Sequence, residues 1–463
     1  MRGQFLSKIL PLCAILAFPL ITPAQRADGF ALYADRYPTE KEAAANFTNA
    51  KFEPRTGCYA GAFIDLDDTI LETFKDKTGK VRRLPDSFES VVGKQHATYF
   101  YYMGYGRPLA TDWISKLGQD GKIVHIALEP NNGLKYVTDD NYLDNLAQDL
   151  GETQTPIFLR FASEMNGPWT NYHNNPKQYI EKFRLVAQKM RKYAPNVAMV
   201  WCPYATPIAP IASYYPGDDF VDWVGVNIYS VTYYDQNPRL SGKNDHPVEK
   251  LDYIYDRYSK KKPIMIGEYG ATHFSALEDK STTEFAKRSI VGMYESLPRK
   301  YPRVKCINYF NTNNLTLEHR KNNNYAVTQN AEVLTLYRKI IGQQYFLSAP
   351  TGHQGYLASN YLALPVSGQS APPLLPIQPM PISQKQVVSG TIRLSGWIED
   401  ATGKTNMHFY VDGKKVYVGT KKDEWAFNFD SKSYENGRHL LELKAELNGN
   451  IVGVYKISVV IKN

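Results

Sequence analysis

A chain of 463 residues exceeds one ordinary compact domain, so more than one folded unit is expected. Hydrophobic content of 43% with 22% charged residues excludes a disordered or fibrous chain. The net charge of +8 is spread, with Lys and Arg interspersed among Asp and Glu, which leaves no basic stripe for nucleic acid. Aromatic residues make up 13%, with 34 Tyr, and tyrosine in such numbers suits platforms that are apolar on the face and polar at the edge.

The N-terminus, MRGQFLSKILPLCAILAFPLITPAQ, has Arg2 and Lys8 before an apolar run from Ile9 to Ile21. That run is short for a membrane span, and Thr22-Pro23-Ala24 offers small residues for cleavage, so residues 1–24 read as a secretory signal peptide. Cys13 follows the bulky Leu12, a poor context for a lipid anchor. The mature chain is expected outside the cell, with no membrane contact after cleavage. Cys58, Cys202 and Cys306 then remain, an odd number, each in an apolar run where a thiol acts as a small hydrophobe. A Cys58–Cys306 bridge stays open at this point. No Cys-x-x-Cys spacing is present, and neither His125 nor His173 has a metal-ligand partner.

Between residues 25 and 346, β-rich runs alternate with helical patterns. The strand candidates begin at Cys58 (CYAGAFIDL), Ala97 (ATYFYYM), Lys122 (KIVHIALEP), Thr155 (TPIFLRFASE), Val197 (VAMVWCP), Val221 (VDWVGVNIY), Lys262 (KPIMIGEYG) and Val304 (VKCINYFN). Near-continuous apolar runs suit parallel strands covered on both faces. PKQYIEKFRLVAQKMRKYA, from Pro176, places Tyr179, Phe183, Val186 and Met190 on one helical stripe. The alternation predicts an α/β fold, a (β/α)8 TIM barrel, over a doubly wound sheet, because no Gly-rich phosphate turn follows any strand.

Residues 347–384 are rich in Pro and Ser and read as a linker. From 385 to 463 the period becomes two, and Asp412-Gly413 and Asn448-Gly449 mark hairpin turns. A small all-β sandwich is expected there.

Barrel active sites form at the C-terminal strand ends. Glu164 ends the fourth strand candidate and Glu268 the seventh, across the barrel mouth from each other. Retaining glycoside hydrolysis needs two carboxyl groups roughly 5–5.5 Å apart, one acid/base and one nucleophile. Arg160, four residues before Glu164, is placed to point into the barrel beneath both, and Tyr229 to hydrogen-bond Glu268. Trp169 and Trp201 are candidate sugar platforms, and Ser163 and Asn166 flank the acid as substrate contacts. Glu129 is read as structural or substrate-contacting rather than a third catalytic group.

FLRFASEMNGPW, VDWVGVNIY and KPIMIGEYG, with GCYAGAFID and ALEPN, resemble glycoside hydrolase family 26 over roughly residues 56 to 342. The arginine-to-acid spacing followed by Asn-Gly is the most specific element. The resemblance implies Glu164 as acid/base, Glu268 as nucleophile, a polysaccharide substrate and no cofactor. It also implies an endo-β-glycanase, with β-1,4-mannan first and mixed-linkage β-glucan next. Ser163 stands where family mannanases usually carry His, and Tyr309 and Phe310 stand where a late Trp is usual. The C-terminal strands are similar to bacterial immunoglobulin-like modules. Two other readings remain: a carbohydrate-binding protein on a retained barrel, and a surface protein whose working part is the sandwich. Nothing in the pattern specifies an oligomeric state.

Overall fold

The computed structural model describes residues 30–318, 321–350, 376–400, 402–421 and 425–463. The signal-peptide reading and most of the expected linker lie outside the described residues. All eight strand candidates form strands: Cys58–Phe63, Thr98–Gly104, Ile123–Glu129, Ile157–Phe161, Val197–Trp201, Trp223–Ser230, Ile264–Ala271 and Val304–Phe310. Each pairs in parallel with the next, and the eighth returns to the first with Cys306 opposite Tyr59, closing the barrel. Phe346–Leu347 adds a short parallel strand beside the first.

Alternation divides each strand between two cores. In the fourth strand Ile157, Leu159 and Phe161 face the helices, while Phe158 joins the interior layer with Tyr59, Trp223, Met265 and Cys306. The floor is plugged from the N-terminal side. Phe52 meets Phe158 edge-on at 5.9 Å, and the Trp223 indole donates to the Lys51 carbonyl at 2.7 Å. The helix Pro176–Tyr193 starts with proline in its first turn, is capped by the Asn175 side chain on Gln178 N–H, and buries the predicted stripe. Cys58, Cys202 and Cys306 are all free thiols and buried.

Beyond the barrel, a four-stranded and a five-stranded sheet enclose Leu394, Trp397, Met407, Phe409, Leu443 and Val459 as a separate sandwich core. Both expected hairpins turn through left-handed pairs, Asp412-Gly413 and Asn448-Gly449.

The sandwich takes a strand from the other end of the chain. Ala31–Arg36 lies between Gln378–Pro381 and Thr391–Trp397, antiparallel to both, with Tyr33 opposite Pro381 and Ser395. Residues 31–36 therefore belong to the sandwich rather than to a barrel domain starting at 25, and residues 378–381 form a strand within the expected linker. A six-residue segment carries no local mark of its partner, and the pairing is settled by burial of Leu32, Tyr33 and Ala34. Arg299, just after the helix Thr283–Ser296, lies 5.8 Å over the Tyr33 ring and pairs with Glu295 at 2.5 Å. Lys300 reaches Glu399 at 2.7 Å. Among the described residues no helix is long and apolar enough to cross a membrane.

Leu32→Ala should weaken the sandwich by about 2–4 kcal/mol, the usual cost of truncating a buried leucine. Hydrogen exchange in Leu394 and Leu443 should accelerate while exchange in the barrel strands stays unchanged.

Candidate active site

The fourth strand ends at Phe161, before Glu164, and the chain then turns sharply. Ala162 and Glu164 have φ of 49° and 58°, in the left-handed region that side chains disfavour. Neighbouring strands hold this strained turn in place. Ala162 N–H donates to Leu128 O at 3.0 Å and Glu164 N–H to Cys202 O at 2.9 Å. Gly167 lets the indole of Trp169 fold back, since a Cβ there would lie 2.3 Å from that ring. The Trp169 N–H then donates to Glu164 Oε2 at 2.6 Å, with the ring edge-on to Tyr204 at 5.1 Å.

Glu268 reaches the interior by a different device. Met265 faces the barrel and Ile266 the helices, so plain alternation would turn Glu268 outward. The ladder shifts between Ile266 and Glu268, a bulge that restores an inward direction. Gly267 makes this possible, because a Cβ there would come 2.6 Å from Asn227 Oδ1 and 3.1 Å from the Arg160 guanidinium.

The two carboxylates share one network. Arg160, completely buried, donates to Glu268 Oε1 at 2.5 Å and to Asn227 Oδ1 at 3.2 Å. Asn227 Nδ2 donates to Glu164 Oε1 at 2.7 Å. Tyr102 donates to Glu268 Oε1 at 2.5 Å, and Tyr229 donates to Glu268 Oε2. Glu268 thus faces three donors, an arrangement that complements an anion. Glu164 differs: burial first, and then the charge of Glu268, push its carboxyl up to about 7. The hydrogen bonds from Asn227 and Trp169 and the charge of Arg160 act the other way. The two carboxyl groups thus sit in unlike environments, Glu268 among donors and Glu164 desolvated.

An aromatic rim surrounds them. Phe63 stacks on Phe310 at 5.1 Å, and Tyr229 lies 5.3 Å from Tyr325 and 5.5 Å from Phe310. Trp169 is 53% exposed. Ser163 donates to Glu129 Oε1 at 2.5 Å, and Tyr172 reaches Glu129 Oε2 at 2.7 Å.

Two expected site residues lie elsewhere. Trp201 shares the parity of Val197 and Met199, and is buried on the helix side against Tyr215 at 5.0 Å and Tyr258 at 5.4 Å. No polymer can reach it. Asn166 is consumed by its own fold: its side chain donates to the Tyr204 and Pro207 carbonyls and accepts from Tyr204 N–H, fixing the loop after the fifth strand. Conversely, sequence reasoning missed Tyr102, Tyr172, Tyr204 and Asn227. Asn227 was within reach, two residues before Tyr229 in the same quoted strand. Tyr102 carried no distinguishing signal in a run of tyrosines.

A (β/α)8 barrel with glutamates beyond the fourth and on the seventh strand brings two carboxyl groups to one C-terminal mouth, the pairing that retaining glycoside hydrolysis requires. Residues 105–241 match the model of glycosyl hydrolase family 26, a span that contains Arg160, Glu164, Asn227 and Tyr229. Residues 381–443 match a bacterial Ig domain. The family 26 match thus falls within the barrel and the bacterial Ig match within the C-terminal sandwich. A β-1,3-xylanase from Alcaligenes sp is 35% identical over 115 residues, 23% of this chain and 24% of that protein. A second β-1,3-xylanase, from Vibrio sp, is 33% identical over 196 residues, 40% of this chain and 41% of its own. The chain thus spans less than half the length of these curated relatives. A modular endo-β-1,4-mannanase from Cellulomonas fimi superposes at a TM-score of 0.48 with 15% identity, covering 90% of this chain and 99% of its own.

Glu164 binds its proton more tightly folded than unfolded, so this group's contribution to stability is fully present below about 4.5 and is lost as pH rises through about 7. Glu164→Gln should flatten that part of the stability profile, measured by urea denaturation at each pH. Asn227→Ala, which removes a hydrogen bond to the ionised form, should move the Glu164 titration above 7, read by carboxyl-resolved NMR.

Proposed function

We propose that this protein is a secreted, retaining endo-β-glycanase in which Glu268 is the nucleophile and Glu164 the acid/base. The observation that carries the reading is the single network joining unlike carboxyls, Glu268 among three donors and Glu164 pushed up to about 7. Glu268 attacks the anomeric carbon as Glu164 passes its proton to the departing glycosidic oxygen, leaving a glycosyl ester on Glu268. Water then enters, Glu164 removes its proton, and the ester is cleaved with the original configuration restored. Tyr229 and Arg160 release part of their hold on Glu268 as its charge is consumed, and regain it when the ester breaks.

For the polymer, the xylanase relatives move the reading. The family resemblance puts β-1,4-mannan first. The relatives at 35% and 33% identity are named β-1,3-xylanases, which brings β-1,3-xylan to the head of the panel. Ser163, small and uncharged where family mannanases usually carry His, supports that order.

The test is sugar release from β-1,3-xylan, mannan, glucomannan and lichenan by the full chain. Glu164→Ala should lose about 10²–10⁴-fold on the polymer. Glu268→Ala should abolish turnover, and the first product released by wild type should be the β-anomer by NMR. In wild type, kcat/KM should fall above pH 7 as Glu164 loses its proton, and that limb should vanish in Glu164→Ala. Release that survives Glu268→Ala would overturn the nucleophile assignment. Binding with no release by wild type would reassign the barrel to carbohydrate recognition.

A further inference from the structure

A third carboxylate stands at the cleft and takes no part in the double displacement. Glu129 ends the third barrel strand, one strand from the turn that carries Glu164. Its side chain is half-buried at the C-terminal mouth. Each oxygen already has one partner, Ser163 Oγ at 2.5 Å and Tyr172 Oη at 2.7 Å, and both partners are buried. Among the described residues it forms no ion pair.

A half-buried carboxylate held only by hydroxyls is a poor structural choice. Desolvation disfavours its charge, and burial raises its pKa. A glutamine would accept from Ser163 without that penalty. The arrangement makes sense for an acceptor kept ready for a ligand. A carboxylate has about four lone-pair directions, and two hydroxyls occupy one on each oxygen. One direction on each oxygen is left, and neighbouring hydroxyls on a sugar ring present two donors that such a pair of oxygens can accept. Its surroundings place it beside the reacting centre, since its donor Ser163 immediately precedes Glu164. Ser163 matters here through its size. Its short hydroxyl reaches Glu129 Oε1 and orients the carboxylate.

We propose that Glu129, oriented by Ser163 and Tyr172, is a specificity-determining residue that accepts hydrogen bonds from two neighbouring hydroxyls of a sugar bound beside the scissile linkage. This rests on the site reading above, in which the cleft takes a β-linked polysaccharide.

Equilibrium binding separates this proposal from the catalytic one. Full chain carrying Glu268→Ala is titrated calorimetrically with β-1,3-xylotetraose, β-1,4-mannotetraose and a mixed-linkage glucan tetrasaccharide, with and without Glu129→Gln. The tetrasaccharide bound most tightly should lose about 10–100-fold in affinity on Glu129→Gln, the scale of hydrogen bonds to a charged acceptor. Ser163→Ala should lose less. Deoxy analogues of the same sugar supply a readout that a structural role would not move: removing one hydroxyl of the recognised pair should weaken binding only when Glu129 is present. Equal affinity with and without Glu129→Gln, an undiminished deoxy penalty in that variant, or no binding of any tetrasaccharide would overturn the proposal. Hydrolysis by wild type with Glu129-independent binding would leave the proposed function standing. Glu129-dependent binding with no hydrolysis would reject the catalytic reading instead.

Discussion

A guanidinium with no exposed surface sits inside the barrel, and the site is organised around keeping Arg160 paired. A cation taken out of water is tolerated only where opposite charge and good acceptors replace its hydration. Glu268 supplies the charge and Asn227 an acceptor. Asn227 cannot turn its oxygen to Arg160 without turning its amide nitrogen to Glu164, so one buried charge orients both carboxylates. The result is an asymmetric pair. One carboxyl is surrounded by donors, and the other is left by desolvation close to neutral pH.

Neither glutamate reaches this arrangement by regular secondary structure. Glu164 sits in a left-handed turn, and Glu268 follows a bulge whose preceding residue must lack a side chain. Both irregularities carry a conformational cost, and both are supported by what surrounds them: strand carbonyls for the turn, and Asn227, Cys202 and Arg160 packed against Gly267. The free thiol of Cys202 belongs to this support, its Sγ 3.2 Å from Asn227 Oδ1. A barrel gives such sites a rigid base, since its lower interior is packed by Phe158, Trp223 and Met265 and plugged by Phe52.

The sandwich adds a constraint of another kind. Its strand Ala31–Arg36 precedes the barrel and the rest follows it, so the chain enters and leaves the barrel from the same small domain. The ion pairs of Arg299 and Lys300 lie at this junction. Two connections resist reorientation better than one tether does.

Sequence by itself determined the eight strands, the amphipathic helix and the period change after the linker, because burial on both faces, helical stripes and alternating strands are local patterns. It also determined which residue types meet at the strand ends: Arg160, Glu164, Tyr229 and Glu268 were legible from spacing and chemistry. Tertiary structure decided what spacing does not encode. Strand parity sent Trp201 outward to the helices, and a bulge reversed the parity that would have sent Glu268 there too. Asn166 was spent on its own loop, while two ordinary tyrosines in sequence found carboxylates: Tyr102 reached Glu268 across the barrel, and Tyr172 reached Glu129 on the neighbouring strand. The pairing of Ala31–Arg36 with strands more than three hundred residues away likewise depended on a shared core. In each case the reason is that the direction of a side chain, and the partner of a strand, are set by packing between segments distant along the chain.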